Sequence, residues 1–239
     1  MVIATTPAMA RWESVDFSAV RSAADCDAMI SRNPGVFSSY YCYDVVARRV
    51  GAWEEMARHL EGKLSLEPGN LALRVALGFI EDDRGDERAI RLFEEAAQGF
   101  SSKGDAGSEC LTRIELANLT TRLGDFDRAI RGYQQVIAVW PVQADWRIQF
   151  RLARCLAKTG DERASETTRL RAKEVELLME EKVHSPLRTM LKSPDQLEIC
   201  ERMTQFYEQL GLEFEAQQWR DQLARQPRKN ERSKISRTP

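Results

Sequence analysis

The stretch Leu123-Gly124-Asp125-Phe126-Asp127-Arg128-Ala129 decides how this chain is read, because versions of it recur along 239 residues. Gly51-Ala52-Trp53-Glu54-Glu55-Met56, Gly85-Asp86-Glu87-Arg88-Ala89, Gly160-Asp161-Glu162-Arg163-Ala164 and Gly211-Leu212-Glu213-Phe214-Glu215-Ala216 share its plan. The glycines are 34, 39, 36 and 51 residues apart. A period in this range marks an array in which each unit is too small to bury its apolar face alone and does so against its neighbours. Each glycine sits where one amphipathic helix ends and the next begins.

Working outward, the unit around Gly124 spans 109–142. Leu116-Ala117 lies on its first helix, Ala129, Tyr133 and Val136 follow at helical steps on its second, and Trp140-Pro141 closes it. The unit at 37–70 places Trp53, Met56, Leu60 and Leu64 on one stripe and ends at Glu67-Pro68-Gly69-Asn70, where proline cannot continue the helix. The unit at 71–108 carries Leu73, Leu77, Ile80, Ala89, Phe93 and Ala96. Its closing proline is replaced by the polar run Ser101 to Ser108, which reads as an exposed loop. The unit at 145–178 has Leu152-Ala153, Leu156 and Ala164, with Thr168 and Arg171 at positions that are aromatic and small elsewhere, so its second helix is expected to be more exposed. The unit at 197–227 supplies Met203, Tyr207, Leu210, Ala216, Trp219, Leu223 and Pro227.

The step from glycine to the next small or apolar anchor is four residues at Gly85 and Gly160 and five at the other three turns, which predicts a turn one residue shorter in those two units. Residues 1–36 read as an arm and a capping helix over Val15 to Ile30, ended by Asn33-Pro34-Gly35. Residues 179–196 form an insert whose Pro186 and Pro194 mark a break. The basic stretch 228–239, almost without apolar residues, is expected to be disordered.

These units resemble the tetratricopeptide repeat, whose marks are a small residue on the first helix, a Gly-x-aromatic turn, Ala and an aromatic four apart on the second helix, and a closing proline. The resemblance covers Phe37 to Pro227. It implies an all-α right-handed superhelix of about five stacked antiparallel helix pairs, here with an N-terminal capping helix. It also implies a concave groove lined by first helices, which holds a peptide or a partner protein. Carried onto this chain, the groove positions are Ser38, Tyr41, Val45, Arg48 and Arg49; Ala72, Val75, Phe79, Asp82 and Asp83; Leu111, Ile114, Asn118, Thr121 and Arg122; and Arg147, Phe150, Arg154 and Lys158. One subclass grips a carboxylate-bearing peptide with Lys, Asn, Asn, Lys and Arg. Asn118, Arg147 and Arg151 match that set, while Val75 and Phe79 stand where Lys and Asn are expected. The expected binding residues are therefore Tyr41, Arg48, Arg49, Phe79, Asn118, Arg122, Arg147, Phe150, Arg151 and Arg154, with an apolar middle, basic flanks and an acidic ligand group.

Composition narrows the function classes. With 35 Lys plus Arg against 37 Asp plus Glu, the chain has no overall field that would draw it to nucleic acid or an anionic membrane. Met1 to Arg11 lacks the pattern of a secretory signal, and no apolar run approaches a membrane span, so a cytoplasmic location is expected. Five cysteines scattered over predicted helices read as reduced, buried thiols. Two histidines, His59 and His184, do not make a metal motif, and nucleotide-loop and hydrolase-elbow patterns are lacking, so neither cofactor nor catalysis is expected. The reading is a non-catalytic protein-interaction module. Its alternatives are a sensing or regulatory repeat domain with a separate effector, and a self-assembly element whose exposed aromatics make a homo-oligomer.

Overall fold

The computed structural model describes residues 18–32, 37–138, 145–179 and 196–225. Trp140-Pro141, the insert's prolines, Pro227 and the basic C-terminal stretch lie outside them. Among the described residues there are eleven α-helices and no strand. They are α1 (Ala23–Arg32), α2 (Tyr41–Val50), α3 (Trp53–Leu66), α4 (Leu71–Asp83), α5 (Arg88–Ser102), α6 (Ala106–Leu123), α7 (Phe126–Ile137), α8 (Trp146–Lys158), α9 (Glu162–Leu178), α10 (Gln196–Leu210) and α11 (Glu213–Ala224). A 3-10 turn over Phe37–Tyr40 leads into α2. The pairs α2/α3, α4/α5, α6/α7, α8/α9 and α10/α11 are each joined through a glycine at positive φ, Gly51, Gly85, Gly124, Gly160 and Gly211. The chain divides into two compact units, residues 1–136 with 155–160, and residues 137–154 with 161–239.

The recurring glycines make the turns. Gly124 has φ +82°, a left-handed conformation that side chains with a Cβ avoid, and it lets the Asp125 amide reach back to the Thr120 carbonyl at 2.9 Å. Asp86 to Glu81 and Leu212 to Tyr207 repeat that backward bond at 2.9 Å each. The expected shortening holds at Gly85 only. There the Ala89 and Ile90 amides bond three residues back, to Asp86 and Glu87, and Ala89 is fully buried. After Gly160, by contrast, the amide of Ser165 bonds four residues back to Asp161, as Ala129 bonds to Asp125 and Ala216 to Leu212. Ser165 is the buried residue and Ala164 is half-buried, so the step is five here too. Ser165 fits because its hydroxyl donates to the Ala153 carbonyl at 2.9 Å.

The polar run Ser101 to Ser108 is mostly helix rather than loop. α5 continues to Ser102, and α6 begins at Ala106 because Asp105 caps it, accepting from the Ser108 amide at 3.1 Å and hydroxyl at 2.8 Å. The wide spacing that follows Gly85 is thus taken up by an α6 of 18 residues.

In the first unit, one core gathers Cys42, Tyr43, Val46 and Ala47 of α2, Met56 and Leu60 of α3, and Leu73, Leu77 and Ile80 of α4. A second joins Val75 and Phe79 of α4, Ala89, Phe93 and Ala96 of α5, and Leu119 of α6. The helices come close where side chains are small: a Cβ on Gly132 would lie 3.0 Å from that of Ala117. α1 covers the first core with Cys26 and Met29. It starts at Ala23, later than the apolar pattern suggested, because Ser22 and Asp25 cap each other's backbone amides at 3.0 and 3.2 Å. Asp27 then clamps it down, accepting from the Tyr43 hydroxyl, from Lys63 Nζ at 2.6 Å and from His59 Nε2. Burial pushes the Asp27 carboxyl up, and these bonds bring it below its ordinary value.

In the second unit, Val175, Leu210 and Leu212 form a core with Trp146, Leu178, Phe206 and Tyr207 against them. α9 buries only Ser165, Ala172 and Val175, and Leu170 and Leu177 stand about half exposed. Arg171 bridges to the next first helix, donating to the Gln209 and Leu210 carbonyls at 3.1 and 2.7 Å.

Candidate interaction surface

In the first unit the expected groove residues fall on three adjacent first helices. Tyr41 of α2 stacks on Phe79 of α4 with ring centroids 4.6 Å apart, and Phe79 meets Phe93 edge-on at 5.2 Å. Phe79 is buried in this aromatic stack rather than open to a ligand. The Tyr41 hydroxyl is shut into the same packing beside Glu115, and burial followed by that carboxylate drives its pKa far upward.

Above the stack runs a line of charges. Arg48 grips Asp44 with Nε at 3.0 Å from both carboxylate oxygens and reaches Asp83 at 2.8 Å. Arg122 of α6 pairs with Asp82, so α4 is tied to α2 on one side and α6 on the other. The Asp44 carboxyl is pushed up to about 6, because burial, with Asp83 adding to the rise, outweighs the pull of Arg48. Asp82 is raised for the same two reasons, burial and the neighbouring Asp83, against the pull of Arg122. Arg48 is held more firmly charged, since Asp44 and Asp83 outweigh the cost of its desolvation.

Two of the expected residues serve the scaffold. Arg49 donates to the Val20 carbonyl at 2.7 Å and so anchors the chain ahead of α1. Asn118 donates to Glu115 at 3.1 Å and accepts from the Tyr133 hydroxyl at 2.8 Å, joining α6 to α7.

In the second unit, Arg147, Arg151 and Arg154 are exposed on one face of α8, where steps of four and three residues bring side chains together. The Arg147 guanidinium lies over the Trp146 ring at 4.6 Å, and Phe150 meets the same ring edge-on at 5.8 Å. The Arg147 amide bonds to the Asp145 carboxylate at 2.9 Å.

Sequence reading passed over Asp44, the acid at the centre of the first unit's charge line. Its signal was present: an aspartate four residues before an arginine, inside the otherwise apolar run Tyr40 to Ala47. Asp82 and Asp83 were placed on the groove face, yet their role as bridges between helices depends on residues 35 and 40 positions away in the chain. Among the described residues no group of His, Cys, Asp and Glu could hold a metal ion. No helix there is long and apolar enough to cross a membrane.

No protein-family model matches this chain, and no curated protein matches it. Among solved structures it is similar to the nearly identical TPR-like repeats of a Podosopora anserina protein described as a kinesin light chain. That match covers 84% of this chain and 97% of the other, at 20% identity and a TM-score of 0.46.

Proposed function

We propose that this chain is a non-catalytic interaction module that holds a segment of a partner protein along its first helices. The supporting observation is the charge line of α2, α4 and α6. Arg48–Asp83 and Asp82–Arg122 hold the three helices in register before any ligand arrives, and a surface organised in advance lowers the cost of binding. Asp44, Asp82, Asp83 and Glu115 outnumber Arg48 and Arg122 there. A partner segment carrying Lys or Arg suits this face, because a cation entering beside carboxylates that crowd one another relieves their repulsion.

The exposed arginines of α8 favour a second reading, in which an acidic group of the partner is held by Arg147 and Arg151. A guanidinium pinned on a tryptophan ring retains its outward N–H groups for a carboxylate.

An array of basic, acidic and neutral peptides, probed with the intact protein, tests both. Asp82→Asn with Asp83→Asn is expected to abolish retention on basic peptides. Arg147→Glu with Arg151→Glu is expected to abolish retention on acidic peptides and leave the basic ones bound. Retention unchanged in both variants, with helicity intact, refutes the first-helix assignment.

A further inference from the structure

We propose that Asp44 and Arg48 form a proton-operated switch on the first-helix surface: with Asp44 ionised the guanidinium is divided between two helices, and with Asp44 protonated it passes to Asp83 and the surface lets go of a basic segment. The release step rests on the reading of this face as a holder of Lys- or Arg-bearing segments. The geometry is that of one cation serving two acids. Arg48 Nε lies 3.0 Å from both oxygens of Asp44, one turn before it on α2, and Nη2 of the same guanidinium lies 2.8 Å from Asp83 of α4. The two carboxylates are shielded, with 12% and 19% of their side chains exposed, whereas Arg48 is 57% exposed and has room to move.

The other charged groups around Asp44 are engaged elsewhere or oppose its ionisation. On its own helix Asp44 faces Arg48 and, toward the start of α2, the buried Tyr41 hydroxyl, which Glu115 of α6 adjoins. From α4 come Asp83 and, beside it, Asp82, which Arg122 of α6 takes. On the other side of α2, Asp27 of α1 gathers Tyr43 together with His59 and Lys63 of α3. Three aspartates thus crowd two guanidiniums, and a proton relieves that crowding most where a carboxyl is poorly hydrated. Burial, with Asp83 adding to it, outweighs Arg48 at Asp44, which therefore takes up its proton at about pH 6. A neutral carboxyl holds a guanidinium about half as strongly as a carboxylate does, so Arg48 turns to Asp83. The bridge from α2 to α4 becomes undivided, and the face loses one of the negative charges that draw a partner's cation.

The test titrates a fluorescent peptide of Lys, Arg and Ala with blocked ends, whose own charge is constant over the range, into the intact protein at pH 5 and pH 7.5. A carboxyl with a pKa of about 6 is about nine-tenths protonated at pH 5, so affinity is expected to fall about tenfold from the higher pH to the lower. Asp44→Asn should bind weakly at both, with helicity unchanged. In the peptide-free native protein the carbon resonance of the Asp44 carboxyl should titrate near pH 6, and the Arg48 Nε–H signal should move with it. Equal affinity of the native protein at the two pH values overturns the switch and leaves the reading of the face intact. A tenfold fall that persists in Asp44→Asn also overturns it, assigning the response to another group such as His59, as does an Asp44 carboxyl titrating near the ordinary value of about 4. Retention of no basic peptide at either pH removes the reading of the face, and the release step with it.

Discussion

Arg171 of α9 donates to the carbonyl of Leu210, the last residue of α10, at 2.7 Å, with a second bond to Gln209 at 3.1 Å. Its guanidinium lies over the carbonyl end of the next helix, where unpaired acceptors and the helix dipole favour positive charge. Arg171→Ala should lower stability by about 1–2 kcal/mol, and Arg171→Lys should recover part of the loss through charge alone. Urea unfolding followed by circular dichroism measures both. Equal stability of all three proteins contradicts a role in joining these helices.

Ser165 and Ala164 make a paired prediction. Only Ser165 is buried, with its hydroxyl on the Ala153 carbonyl. Ser165→Leu should therefore cost about 1–3 kcal/mol through overpacking, whereas Ala164→Leu, at a half-buried position, should cost less. The opposite ranking would restore the four-residue step read from the sequence.

Two helix-interior glycines should respond to alanine with opposite signs. Nothing lies within 4 Å of a Cβ added at Gly62, so Gly62→Ala should stabilise α3 by about 1 kcal/mol through helix propensity. A Cβ at Gly78 would sit 2.9 Å from the ring of Phe93, which is itself fully buried. Gly78→Ala should lower the melting temperature despite the same gain in propensity, because a ring in a packed core has little room to retreat.

Asp44 should make the first unit more stable in mild acid. Its folded pKa is raised from 3.8 to about 6, so the folded state holds the proton more tightly than the unfolded chain. That stability is complete below 3.8 and is lost as pH rises through about 6. Two pH units correspond to about 3 kcal/mol. Asp27, whose pKa is lowered, acts in the opposite sense at lower pH: its contribution is lost as pH falls. Urea midpoints for Asp44→Asn and the native protein at pH 5 and pH 7.5 separate the two, since the variant's midpoint should vary less over this interval. An identical slope would remove Asp44 from the pH response.

The all-α class, the pairing of helices and most core positions were legible because they depend on periodicity and turn chemistry. Ala117, Ala129, Tyr133 and Val136 are buried where a 3.6-residue period and the small-residue rule put them. Ser101 to Ser108 reads as a loop yet is mostly helix, because Gly104 at positive φ confines the turn to three residues and the Asp105 cap starts α6 directly after it. Phe79 was open in the sequence reading because a first-helix position says which way a side chain starts, and nothing of the Tyr41 ring that covers it.

The chain's order of residues determined on its own where helices begin and end and which of their faces are apolar, since these follow from interactions within a few positions. The tertiary structure decided which polar groups meet. Arg48 finds Asp83, Lys63 finds Asp27 and Arg171 finds Leu210 across 35, 36 and 39 residues. No local rule encodes such pairs; they arise once packing brings helices distant in the chain side by side.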